Sequence, residues 1–233
     1  MSMDAIVNVG FTIANFTDTS GNPSASKVYR AARIILAQPD LVGYFGSGSG
    51  VASQEQYWSA YGLAKAFWEL DLDIPAVIRL GGNTEDRAVD ILHRMSKLLR
   101  ATVEGYRKSD TPAMIAARFA ELVAETKGAK WKPRAPRTPK FVKNNTTKFE
   151  VKSGRVWIDN AMWPLIRSAI ETHSGGLIVD RADAPAIALS TEEFATKDSE
   201  LVACDVECRL AGIDGFYLEL DVPGLDKLIG GAR

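Results

Sequence analysis

Residues 44–58 read YFGSGSGVASQEQYW, and the reading of this stretch decides the fold class. Before it, the apolar run Leu41–Phe45 (LVGYF) predicts a buried strand. After it, a helix is expected from about Gln56 to Glu69, with Ala60, Leu63, Phe67 and Leu70 on one stripe and Tyr57, Tyr61, Ala64 and Trp68 on a second. Two apolar stripes mean that the helix is covered on more than one side. Three glycines and two serines, GSGSG at 46–50, follow the strand on the way to the helix. In an open α/β sheet that junction is where ligands bind, because glycines admit an anion close to the backbone and the unpaired N–H groups of the helix start point at it.

The loop is not a dinucleotide fingerprint. Counting G-x-G-x-x-G from Gly46 ends on Val51 and from Gly48 on Ser53, and Arg79 stands near the next strand end where an acid is expected. A P-loop is excluded because no Gly-Lys-Ser/Thr follows. The serine hydroxyls favour an anion site over a plain turn. One helix start contributes only about 0.3–1 kcal/mol to holding an anion. Millimolar binding needs about 4 kcal/mol, so a second set of donors is required, from elsewhere in the fold or from another chain.

Working outward, KVYRAARIILAQ spaces Val28, Ala32 and Ile35 as one helical face, with Ser24 or Ser26 as cap and Pro39 as stop. The segment beginning at Pro75 (PAVIRL) predicts a strand. TEDRAVDILHRMSKLL predicts a helix capped by Thr84, and a short strand is expected near 101–104. A last helix has Thr111 as N-cap and Pro112 in its first turn. Strands alternating with helices of this length call for right-handed crossovers and a parallel sheet with helices on both faces.

A segment with ten cations and one acid, Glu150, runs from Lys127 to Arg155. Its proline-rich part predicts a linker at 127–147. Beyond it, a smaller α+β domain is expected at 148–233: a hairpin turning at Ser153-Gly154, a helix near 161–172, strands in GLIVD and FYLELD, and a helix near 198–211. Cys204 and Cys208, spaced i, i+4, do not make a zinc site by themselves. No metal site is expected, and His93 reads as a helix surface residue. The net charge of −1 gives no global attraction to nucleic acid, and the aromatics among the cations, Trp131, Phe141 and Phe149, form no stacking pattern. No apolar run approaches the roughly 20 residues of a membrane span, and the first residues lack a signal-peptide pattern, so the cytoplasm is the expected setting.

Three ordered motifs carry a family resemblance: ANFTDTSGN at 14–22, YFGSGSG at 44–50 and IPAVIRLGGN at 74–83. They resemble the ANFxDxGG, FGG and P-V-V-x-R-L-x-G-N motifs in the carboxyl-terminal, CoA-ligase domain of the succinyl-CoA synthetase β subunit, over roughly residues 3–125. Malate–CoA ligase and the ATP-citrate lyases share that domain. The resemblance implies a flavodoxin-like fold for residues 1–126. It also implies a carboxylate and phosphate site at Asn15, Gly46, Ser47, Gly48, Ser49, Gly50 and Asn83, with the second donor set supplied by an α-like subunit.

Here the loop is longer than the family's, Gly81 replaces an acid, and TDTSGN lacks one glycine of the first motif. The G-H-A-G-A context of the family's phosphohistidine is absent; His173, in ETHSGGL, echoes it faintly. The expectation is a subunit of a multi-chain NDP-forming carboxylate–CoA ligase that binds no cofactor alone. CoA, nucleotide and Mg would come through an α-like CoA-binding chain and an ATP-grasp chain, with a small carboxylate as substrate. The alternatives are a non-catalytic assembly or regulatory subunit and a related phosphoryl or carbamoyl transferase component.

Overall fold

In the computed structural model the chain divides into two units, Met1–Arg137 and Thr138–Arg233. The structure describes residues 2–19, 21–48 and 55–137, and in the second unit 149–152, 155–159, 176–178, 188–190, 217–220 and positions between 199 and 212.

The first unit runs α1 (Ser2–Asn8), α2 (Ala25–Ile35), β1 (Tyr44–Gly48), α3 (Gln56–Glu69), β2 (Ala76–Leu80), α4 (Glu85–Ser96), β3 (Val103–Tyr106) and α5 (Pro112–Glu125). The sheet is parallel, in the order β1-β2-β3. Helices α2, α3 and α4 line one face; α5 and α1 line the other, where Ala5, Ile6, Val77, Ile115, Ala116, Phe119 and Leu122 form a continuous core. This is the expected α/β architecture.

Local chemistry explains the elements. Ser24 caps α2, its side chain accepting from the Lys27 amide, and Thr111 caps α5 in the same way with Pro112 in the first turn. The α2–α3 contact is close because residue 62 is glycine: a Cβ there would lie 2.3 Å from the Ala25 carbonyl oxygen. Tyr44 meets Phe67 edge-on at 5.1 Å, and Phe119 meets Phe45 at 5.8 Å and Phe11 at 5.1 Å, so β1 is packed from both faces.

Four local expectations are corrected. Strand β1 continues through Gly46–Gly48, because Ile78–Leu80 of β2 offers a pairing register as far as Gly48. Strand β3 begins two residues later than expected, at Val103. Thr84 does not cap α4 with its side chain; its φ of 55° is left-handed and its hydroxyl turns to Glu55. Helix α1 was not foreseen, since seven residues are too few for periodicity to stand out.

Residues 129–137, within the expected linker, are packed on the first unit. Trp131 is fully buried, donates from Nε1 to the Leu36 carbonyl at 2.7 Å and exchanges backbone bonds with Asp40 and Leu41. Asp71 and Asp73 hold Arg134, and Asp71 also pairs with Arg100 and Arg137. Arg134 and Arg137 thus neutralise carboxylates of their own unit.

In the second unit, β4 (Phe149–Lys152) and β5 (Arg155–Asp159) pair antiparallel, and β8 (Tyr217–Leu220) adds to β5. Strands β6 (Gly176–Ile178) and β7 (Ala188–Ser190) make a separate pair. Helical residues occur between 199 and 210, with Val202, Asp205, Val206 and Arg209 buried. The expected turn Ser153-Gly154, the helix near 161–172, Cys204, Cys208 and His173 lie outside the described residues.

Candidate functional site at the carboxyl edge of the sheet

The carboxyl ends of β1, β2 and β3 meet around Arg79. This β2 side chain donates from Nε to the Asp110 carbonyl at 2.8 Å, from Nη2 to the Lys108 carbonyl at 2.8 Å and from Nη1 to the Gly48 carbonyl at 3.5 Å. The guanidinium therefore ties the three strand ends together.

Helix α3 starts in contact with the β2–α4 loop. The Gln56 amide donates to the Asn83 carbonyl at 3.1 Å, and the Thr84 hydroxyl donates to Glu55 at 2.7 Å. Glu85 closes the other side, accepting from the Gly82 amide at 3.2 Å and the Lys108 amide at 2.9 Å. A carboxylate thus occupies the Gly82 and Lys108 amides, and the first amide of α3 is spent on a carbonyl.

Gln56 is the exception to this internal satisfaction. Its side chain is fully buried, and neither carboxamide atom has a hydrogen-bond partner among the described residues. It lies against Gly48, where a Cβ would come 3.4 Å from its Oε1. Leaving a buried polar group unpaired costs about 1–3 kcal/mol, so among the described residues the Gln56 carboxamide has hydrogen-bonding capacity unused at this edge.

Gly46, Ser47, Gly48 and Asn83 are brought to this edge; the hydroxyls of Ser47 and Ser2 are joined at 2.8 Å. Ser49 and Gly50 lie outside the described residues. Asn15 is not brought there. Its Nδ2 donates to the Ile35 carbonyl at 3.2 Å and to Gln38 at 2.8 Å, at the carboxyl end of α2. That end is fastened through Leu36 and Trp131 to Leu41, ahead of β1, so Asn15 stands at the amino edge of the sheet.

Sequence reading missed Arg79 as a tie, Glu85 as a plug and Gln56. Only Gln56 left a signal, as a polar residue opening an otherwise apolar helix. Arg87 stacks over Tyr57 at 4.1 Å beside Trp58 and Tyr61 and donates to the Tyr61 hydroxyl, giving the first turns of α3 an aromatic, cationic flank. Among the described residues no group of three or more His, Cys, Asp or Glu could hold a metal, and no helix is long and apolar enough to cross a membrane.

The chain is 33% identical over 92 residues to the β subunit of the GDP-forming succinate–CoA ligase of Thermus thermophilus, covering 39% of this chain and 24% of that one. The chain resembles succinate–CoA ligase β subunits. To the ADP-forming succinate–CoA ligase β subunit of Macrococcus caseolyticus it is 32% identical over 126 residues, covering 54% of this chain and 30% of the other. It thus spans between a quarter and a third of the length of these β subunits. Among solved structures, ATP citrate lyase from Methanothrix soehngenii, in complex with citrate and coenzyme A, aligns over 43% of this chain and 29% of its own, at 17% identity and a TM-score of 0.39. No protein-family model matches the chain.

Proposed function

We propose that this protein is a subunit of a multi-chain, NDP-forming carboxylate–CoA ligase. In this reading its first unit contributes the carboxyl edge of β1 and the start of α3 to a carboxylate or phosphate site shared with another chain. The observation that carries the proposal is the likeness to succinate–CoA ligase β subunits; it is supported by Gly46–Gly48 and Asn83, from two of the three motifs, lying at one edge of a parallel sheet.

The chemistry argues for sharing. Arg79, Glu85 and the first amide of α3 are committed within the chain, leaving Ser47 and the Gln56 carboxamide as the described polar groups nearest Gly48. That is too little to hold an anion at the roughly 4 kcal/mol that millimolar affinity requires. An α-like CoA-binding chain and an ATP-grasp chain would supply the remaining donors, CoA, nucleotide and Mg, in a cytoplasmic assembly.

The test is reconstitution. The purified chain with ATP, CoA and succinate is expected to give no acyl-CoA, and an ATP-grasp chain recovered with it from its source is expected to restore turnover. Ser47→Ala in that complex is expected to cut turnover about tenfold or more, the effect of removing one donor to an anionic transition state. Turnover by the chain alone would overturn the shared-site reading.

A second reading, a non-catalytic assembly or regulatory subunit, is favoured by one observation: Glu85 fills the loop amides at the edge. Full activity of the Ser47→Ala complex, with assembly intact, would select it.

A further inference from the structure

Strand β3 is the outer strand of its sheet among the described residues, and its outward amides are met by side chains. The Thr102 carbonyl accepts from the Ala76 amide at the start of β2, so Val103 and Gly105 turn their backbone groups the other way. Helix α4 answers both: Val103 donates to the Ser96 hydroxyl at 2.8 Å and Gly105 to Nε2 of His93 at 3.1 Å. Glycine at 105 lets the helix come this close, because a Cβ there would lie 3.1 Å from Val89 Cα and 3.3 Å from Leu92 Cδ1.

The two caps differ in chemistry. A serine hydroxyl accepts a hydrogen bond throughout the neutral and mildly acidic range. A histidine nitrogen accepts only while it keeps its lone pair, so the bond to Gly105 requires the neutral ring with its proton on Nδ1. Imidazole is the side chain that ordinarily changes charge between about pH 5 and 8. A proton taken from solvent onto Nε2 turns the acceptor into a donor, and two N–H groups then face each other.

The charged ring has a new partner at hand. His93 is exposed, and the Glu104 carboxylate, one residue before Gly105, lies near enough for the imidazole charge to help hold it below its ordinary value. Arg118 of α5 forks that carboxylate at 2.8 and 3.2 Å, and the Tyr106 hydroxyl donates to it. On α4 itself, Asp90 one turn earlier pairs with Arg94 at 3.6 Å, and Lys97 follows one turn later. Glu104 and Asp90 favour the imidazolium; Arg94, Lys97 and Arg118 oppose it. Among the described residues, α3 and β2, which also pack on α4, make no hydrogen bond to the ring.

We propose that His93 is a proton-operated latch on the β3 edge: the neutral ring holds the Gly105 amide, and the imidazolium releases it and turns to the Glu104 carboxylate. Ser96 keeps Val103 in both states, so the strand loosens from Gly105 onward. That direction leads to Lys108, whose amide Glu85 holds and whose carbonyl Arg79 holds, so acid slackens the outer side of the carboxyl edge. The inference concerns this edge and stands whatever reaction the assembly runs.

The test follows the full chain, 15N-labelled, by NMR from about pH 7.5 to about pH 5, the range of imidazole titration. At the upper end the His93 ring nitrogens are expected to report a proton on Nδ1 and a lone pair on Nε2. As the ring titrates, Gly105 is expected to lose about tenfold or more of its protection from amide exchange, corrected for the intrinsic rate, with Val103 unchanged. His93→Gln, whose carboxamide oxygen accepts at every pH in the range, is expected to keep Gly105 protected throughout. Three results would overturn the proposal. They are a proton on Nε2 at the upper end, a ring titration that leaves Gly105 protection unchanged, and a loss that persists in H93Q or that Val103 shares.

Discussion

The β1 and β3 edges of one small sheet face the same physical problem, a row of backbone groups without a strand beside them. At β3 the answer is local: Ser96 and His93, three residues apart on α4, meet amides two residues apart on the strand. One turn of helix matches two strand residues closely enough for both bonds to form. At β1 the described closure is at the lower end, where Trp131 exchanges bonds with Asp40 and Leu41, and among the described residues Phe45 and Ser47 have no backbone partner on their outer side. The difference teaches that the fold ends the sheet with helix side chains at β3 and with a backbone strap ahead of β1.

The sharpest way to break this comparison is at the closed end of β1. Trp131→Ala empties a fully buried indole site and is expected to lower the stability of the first unit by about 3–5 kcal/mol, read by urea unfolding. A loss under 1 kcal/mol would mean that the 129–137 strap is not part of the unit. Next come the β3 caps. Ser96→Ala and His93→Ala are each expected to cost about 1–3 kcal/mol and to speed exchange at Val103 and Gly105 respectively, leaving Phe45 and Ser47 as they were. Equal changes at both edges would erase the distinction.

A smaller effect is expected in acid. Burial pushes the Glu104 carboxyl up, but the forked Arg118 guanidinium and the Tyr106 hydroxyl outweigh it and hold the group below its ordinary value. A carboxylate whose pKa is depressed on folding adds stability above the ordinary carboxylate range, and that stability is lost as pH falls through the lowered value. Acid unfolding of Glu104→Gln should therefore show a shallower loss of β3 than the parent; superimposable curves would remove Glu104 from the account. The smallest effect is expected on the outer face of α2. Ile34→Lys, on an exposed side chain, should change the stability of the isolated chain by no more than about 0.5 kcal/mol, and a larger loss would mean that Ile34 is packed against another part of the chain.

Much of the first unit was legible because its signals are short-range. The caps Ser24 and Thr111, the helical spacing of Ala60, Leu63 and Phe67, and the strand run before Arg79 each act within a few residues. The site was legible only as a place. The glycines marked the end of β1, but that Arg79 ties three strand ends and Glu85 plugs two amides depends on bonds to residues 108 and 110, far along the chain. The place of Asn15 was not legible, because a motif fixes an order of residues and not their distance; its amide is used at the carboxyl end of α2, at the opposite edge of the sheet.

Periodicity, capping and turn chemistry, all written in neighbouring residues, determined the alternation of strands and helices and the junction at Gly46–Gly48. Tertiary structure alone decided which polar groups have no partner among the described residues, Gln56 at the carboxyl edge and the outward backbone of Phe45 and Ser47. The physical reason is that a hydrogen bond is satisfied by whatever the fold brings within about 3 Å, and sequence distance does not measure that.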